Sequence, residues 1–212
     1  MEITKYEAQD GTTVELSAET VMRDLVPSGD RISDRQMRQF IATCQARRLN
    51  PLAGDCYLTV FKGKATVIVS KGYYERVAAQ QEGYDGMESG ITVINGEGRA
   101  CDREGCVAFP GERVVGGWAK AYDKGRSRPS VAKVSMAEYD QHNSMWESKP
   151  ATMICKVAKV QALRELYPGL FEGTYERTEI QDVPQAQPVP AEAVVEDVLE
   201  FGTDQMEEDI EG

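Results

Sequence analysis

Histidine occurs once in 212 residues, as His142. A lone imidazole with no partner in its neighbourhood gives neither a histidine-rich metal centre nor a recognisable acid–base pair. No run of 18 apolar residues exists, so no membrane span is expected. The first ten residues, M-E-I-T-K-Y-E-A-Q-D, lack an apolar core, so no secretory signal is read there. The five cysteines (Cys44, Cys56, Cys101, Cys106 and Cys155) are odd in number and mostly sit in apolar periodic segments. They suit a reducing cytoplasm, where thiols act as small hydrophobes. Cys101-x4-Cys106 has no second pair, which argues against zinc. No G-x-x-x-x-G-K-[ST] loop is present, so nothing supports an ATP-driven reaction. A metal-dependent nuclease needs converging carboxylates, and none falls in a recognisable motif. No catalytic residue, metal or cofactor is expected.

The net charge of −11 is unevenly spread. Residues 181–212 hold ten acids and no lysine or arginine. Removing those ten from the total of 35 leaves 25 acids against all 24 basic residues in residues 1–180, a body close to neutral. Within it, residues 113–164 carry ten basic residues and four acids. An acidic chain thus contains a basic band, and that band decides which partners the body attracts.

Local patterns predict an α+β domain over residues 1–180: a small antiparallel sheet with β-hairpins, packed on a central C-terminal helix and on N-terminal helices. Helices are expected at 18–26, 34–48, 71–81 and 136–143, with Ser33 and Gln36 forming a capping box for the second. Strands are expected at 56–61, 65–69, 87–94, 106–109, 114–122 and 130–134. Residues 62–64 and 95–98 read as turns. From Pro184 the composition becomes that of a linker, followed by an acidic and disordered tail over 181–212.

The segment Trp146–Gly169 is the centre of the pattern. Pro150 suits a first helical position, and Pro168-Gly169 stops the helix. Most of its circumference is apolar, which predicts a helix sandwiched between other elements. Thr152, Lys156 and Lys159 form a narrow polar face, suited to lining a groove for an anion. Arg164 falls on an apolar stripe, where a buried ion pair or carbonyl contact competes with a phosphate contact. Upstream, Trp118, Lys120 and Tyr122 alternate along one strand, Lys124, Arg126 and Arg128 form an exposed turn, and Lys133 follows. Basic residues beside aromatics suit a phosphate backbone with stacked bases. The plain alternative is a solvated charged surface.

Several motifs in order carry a resemblance. They are A-R-R-L-N-P-L-A-G-D-C-Y-L at 46–58, V-I-V-S-K-G-Y-Y-E-R at 67–76 and G-Y-D-G-M at 83–87. G-W-A-K-A-Y-D-K-G-R-S-R-P at 117–129, W-E-S-K-P-A-T-M-I-C-K-V-A-K-V-Q-A-L-R at 146–164 and G-T-Y-E-R at 173–177 follow. Together they resemble the RecT/Redβ family of phage recombinases over roughly residues 35–180. That resemblance implies a single-strand annealing protein rather than an enzyme. It implies ATP-independent binding of single-stranded DNA and of the annealed duplex, and homo-oligomers in the form of rings or helical filaments. Partners of the family are a phage exonuclease or the host ssDNA-binding protein. The resemblance matches Lys124, Arg126, Arg128, Lys156 and Arg164 to a DNA-binding role, and Trp146 to a structural one. With Lys71, Trp118, Lys120, Lys133 and Lys159 they make up the expected DNA-binding set. Residues 87–113 match nothing in the family pattern. A phage nuclease, or an adaptor docking an acidic protein on the basic band, are the competing readings.

Overall fold

The computed structural model describes residues 3–26, 32–61 and 64–171. All lie in the first of the two units into which the chain divides, Met1–Gln181. The turn residues Lys62 and Gly63, Pro27, the 173–177 motif, the linker and the acidic tail lie outside the described residues.

The fold is α+β. Strands β1 (Thr4–Glu7) and β2 (Thr13–Leu16) form an antiparallel hairpin. Helix α1 (Ala18–Thr20), capped by the Ser17 hydroxyl, continues as a π-helical turn over Val21–Leu25. Helix α2 (Asp34–Ala46) begins with the expected capping box: the Gln36 amide donates to Ser33 Oγ, and the Ser33 amide donates to Gln36 Oε1. Strands β3 (Cys56–Phe61) and β4 (Lys64–Val69) pair as a second hairpin. Helix α3 (Lys71–Ala79) is capped by Ser70. The main antiparallel sheet follows: β5 (Tyr84–Ile94), β6 (Ala100–Glu104), β7 (Arg113–Asp123) and β8 (Ser130–Ser135), in spatial order β6-β5-β7-β8. Short helices α4 (Met136–Tyr139) and α5 (Ser144–Ser148) lead to α6 (Pro150–Leu166) and α7 (Pro168–Phe171).

Two expectations are corrected. Residues 106–109 are not a strand; the strand after β5 is β6, five to six residues earlier. The tight turn closed by the Asn95 amide on the Arg99 carbonyl puts Ala100 opposite Ile94 at once. As an edge strand β6 has an alternating, half-exposed pattern with little apolar signature. The helix expected over 136–143 ends at Tyr139, because Asp140 turns extended and His142 adopts φ +50°. Helix formation resumes only at Ser144, where Asn143 caps it.

Helix α6 is the sandwiched element its composition predicts. Its first half packs with Ile91, Val93 and Trp146 through Ile154, Cys155 and Val157. Its second half joins the larger cluster of α2, α3 and the β1–β2 hairpin through Ala158, Val160, Ala162, Leu163 and Leu166. The sheet beneath it is built of small residues: Gly117, Ala119, Ala121 and Ala132. A β-carbon on Gly117 would sit 2.7 Å from the Ile154 carbonyl oxygen, which is backbone and cannot swing aside. Dispersion and water exclusion both rise as the helix comes that close.

Gly117→Ala is therefore expected to lower unfolding free energy by about 1–3 kcal/mol through overpacking. Gly96→Ala, where a β-carbon meets open space, should leave stability nearly unchanged. Chemical denaturation of the two variants checks the contrast.

Candidate nucleic-acid interface

The two faces of the main sheet differ in kind. Residues 117, 119 and 121 of β7 point at α6, so 118, 120 and 122 occupy the opposite face. Register places Trp118 beside Gly90 and Lys133, and Lys120 beside Glu88 and Val131. The Trp118 ring lies against Gly90, where a β-carbon would approach ring atom Cε2 to 2.8 Å. Lys120 Nζ stands 5.5 Å from the Trp118 ring centroid and 3.7 Å from Glu88 Oε2. Lys133 Nζ donates to Asp102 Oδ2 at 2.9 Å, and Asp102 Oδ1 accepts from Thr92 Oγ1 at 2.7 Å. Burial alone would raise the Asp102 pKa, but the hydrogen bonds from Thr92 and Lys133 and the lysine charge hold it below the usual carboxylate value. Each lysine on this face thus has a carboxylate. Neither Glu88 nor Asp102 was singled out by the sequence, because pairing register decides which acids meet which lysines.

Lys156 and Lys159 lie on the other side of the sheet, half-buried on the polar strip of α6 with exposed Thr152. Lys71, the first residue of α3, is ion-paired to Glu75 at 2.6 Å. Lys71 and Lys159 share a neighbour that sequence reasoning missed, Cys106. Although Cys106 is exposed, partial desolvation and a hydrogen bond with the Cys155 thiol raise its pKa, while the charges of Lys159 and Lys71 act in the opposite sense. Cys101 bonds elsewhere, to Arg99 O and Asn95 Nδ2, so the two cysteines of the loose Cys-x4-Cys spacing go to different partners. Among the described residues no group of three or more His, Cys, Asp or Glu converges as a metal site would require. His142 is on the surface, beside Asp140.

The turn after β7 belongs to the end of α6. Arg126 Nη2 donates to the Leu166 carbonyl oxygen at 2.6 Å, a cation where the helix dipole is negative. Tyr167 Oη donates to Asp123 Oδ2 at 2.6 Å, and the Gly125 amide donates to Asp123 Oδ1 at 2.7 Å. Arg126 thus has a structural partner, whereas Lys124 and Arg128 are exposed on the same turn. Arg164 is half-buried in the last turn of α6. The basic band read as one patch is therefore divided: Trp118, Lys120 and Lys133 on the open face, and Lys71, Lys156 and Lys159 on the helix side. Lys124, Arg126 and Arg128 lie on the turn at the end of α6.

A helix-side strip of cations on an α+β domain is the kind of surface that follows a polyanion. A model described as the RecT family matches residues 12–191. The chain belongs to the RecT family, which comprises single-strand annealing proteins of phage recombination. It is also similar to an uncharacterized protein of Ureaplasma parvum serovar 3, with 27% identity over 129 residues. That similarity covers 61% of this chain and 52% of the relative, so the chain spans about half the length of the curated relative it matches. Among the described residues no helix is long and apolar enough to cross a membrane.

Removing the clamp between turn and helix has a predictable acid signature. The hydrogen bond from Tyr167, with that from the Gly125 amide, holds the Asp123 carboxyl below its usual pKa. A lowered folded-state pKa means stability that is complete above the ordinary aspartate value near 4 and is lost as pH falls through the folded value. Asp123→Asn should flatten that acid limb of a stability–pH profile. Arg126→Ala should cost about 0.3–1 kcal/mol, the range for a cation at a helix C-terminus, at neutral pH. Thermal unfolding across pH 2–7 checks both.

Proposed function

We propose that the chain binds single-stranded DNA along the helix-side surface and anneals complementary strands without a nucleotide cofactor. The observation that carries this reading is the placement of Lys156 and Lys159, with Thr152, on one polar strip of a helix whose apolar faces are buried, in a member of the RecT family. Lys124 and Arg128, on the turn whose Arg126 bonds the C-terminal end of α6, and Lys71, at the start of α3 and paired with Glu75, are the further cations in this reading. Point charges of this kind hold phosphates and leave base edges free, which annealing requires. A duplex carries its charge more densely than one strand, so a surface holding one strand gains binding as the second arrives. In this reading copies of the chain assemble into a ring or helical filament in the cytoplasm, and the strip continues from copy to copy. Arg164 serves from within the helix. Lys120 and Lys133, paired with Glu88 and Asp102, and Trp118 beside them are secondary contributors, and an exonuclease or a host ssDNA-binding protein is the partner class.

Annealing of two labelled complementary oligonucleotides, without nucleotide and at two salt concentrations, tests this directly. Acceleration over the spontaneous rate that fades at high salt is the expected result. The absence of any acceleration at low salt overturns it. Lys159→Ala should weaken binding alike on poly-T and mixed sequence, and reduce the slope of log affinity against log salt by about 0.7, the value per single-strand phosphate contact. A strongly sequence-dependent loss contradicts backbone tracking.

A further inference from the structure

The loop between β6 and β7 lies within the stretch that the RecT family model matches, and it is braced at both ends. At its start the Gly105 amide donates to Ser89 O at 2.9 Å, and Gly105 bridges Gly90 across the sheet. Next comes Cys106, whose thiol meets Cys155 of α6 and whose charged neighbours are Lys159 and Lys71. At the loop's end Glu112 is the organiser. Its side chain is only 7% exposed, it binds the Arg103 guanidinium, and its Oε2 accepts from the Phe109 amide at 3.0 Å. The Glu112 amide returns the turn to Phe109 O at 3.0 Å. Burial works against ionisation of Glu112, but the hydrogen bonds from Arg103 and the Phe109 amide dominate and keep it charged. Arg103 Cζ stands 6.0 Å from the centroid of the Phe109 ring.

This scaffold holds out two large apolar side chains: Phe109 is 58% exposed and Val107 is 60% exposed. An ordered loop that fixes an aromatic ring in water, three residues from a thiol that feels the charge of two lysines, is not accounted for by packing. The charge beside it selects a polyanion, and the ring selects something flat. Single-stranded DNA combines both. We propose that Phe109 is a base-stacking residue of the helix-side DNA surface: one base of the bound strand lies on its ring, with Arg103 behind it, while Lys71 and Lys159 take neighbouring phosphates. The inference rests on the DNA-binding reading above. Stacking covers the face of a base and leaves its pairing edge open, so it is compatible with annealing.

The test uses the full chain and two probes, a mixed-sequence oligonucleotide and an abasic sugar-phosphate strand of equal length. Wild type should bind both, and the mixed-sequence probe more tightly. Phe109→Ala should lower affinity for the base-bearing probe roughly five- to a hundredfold, as loss of one stack does, and leave the abasic probe unchanged. Phe109→Trp should restore binding. Glu112→Gln, which loosens the brace and keeps the ring, should give an intermediate loss. Equal affinity of wild type and Phe109→Ala for the base-bearing probe, with wild type binding DNA, overturns stacking and leaves the DNA-binding reading standing. Failure of wild type to bind either probe overturns both. A parallel loss on both probes, with smaller assemblies in sedimentation, makes Phe109 a contact between copies of the chain and also overturns the proposal.

Discussion

The close approach of α6 to the main sheet is the constraint on which the rest depends. It is possible only because Gly117 has no side chain and Ala119, Ala121 and Ala132 have one carbon each. Sequence smallness on the sheet is matched by sequence smallness on the helix, at Ala158 and Ala162. The bulk lies elsewhere: Phe40, Tyr73, Tyr74 and Phe171 fill the space between α6 and the N-terminal elements. A helix gripped from both sides has little circumference left over. Part of what remains is the strip of Thr152, Lys156 and Lys159, with Gln161, Arg164 and Glu165 nearer the C-terminal end, so the position of these cations follows from packing that has nothing to do with a ligand.

The sheet then separates two electrostatic regimes. On its open face lysines are matched by Glu88 and Asp102 at side-chain range. Such exposed pairs contribute at most about 1 kcal/mol each, but they cancel the charge that a distant polyanion would feel. On the helix side Lys71 is likewise paired, with Glu75, but Lys159 has no carboxylate partner among the described residues, and Lys124 and Arg128 are exposed cations on the turn. Lysines that look alike in the sequence therefore have unequal reach in the structure.

How much of this was legible beforehand depends on the range of the interaction. The α+β class, the capping box at Ser33 and Gln36, the burial of α6 and its narrow lysine face are local patterns, and period alone reveals them. The shared face of Trp118, Lys120 and Tyr122 is likewise a matter of alternation. The misassigned strand at 106–109 had apolar residues, Val107 and Phe109, that read as a strand but are displayed to solvent. The true edge strand at 100–104 is too polar to stand out. Register and handedness decided the rest: that Lys120 faces away from Lys156, that Asp102 reaches Lys133 across two intervening strands, and that Cys106 meets Cys155. None of these follows from spacing along the chain. The closing motif at 173–177 and the acidic tail lie outside the described residues.

The hydrogen bond from Arg126 to the last turn of α6, with the Tyr167–Asp123 bond beside it, ties the loop that leaves the sheet to the helix that crosses it. A charged loop on a hairpin tip would ordinarily pivot about its two strands. Here it is also tied at a third point, so the backbone that carries Lys124 and Arg128 is anchored to the helix that carries Lys156 and Lys159. In the proposed reading the protein would act as a ruler: a strand touching both sets of cations would meet an interval that the fold sets and the ligand does not.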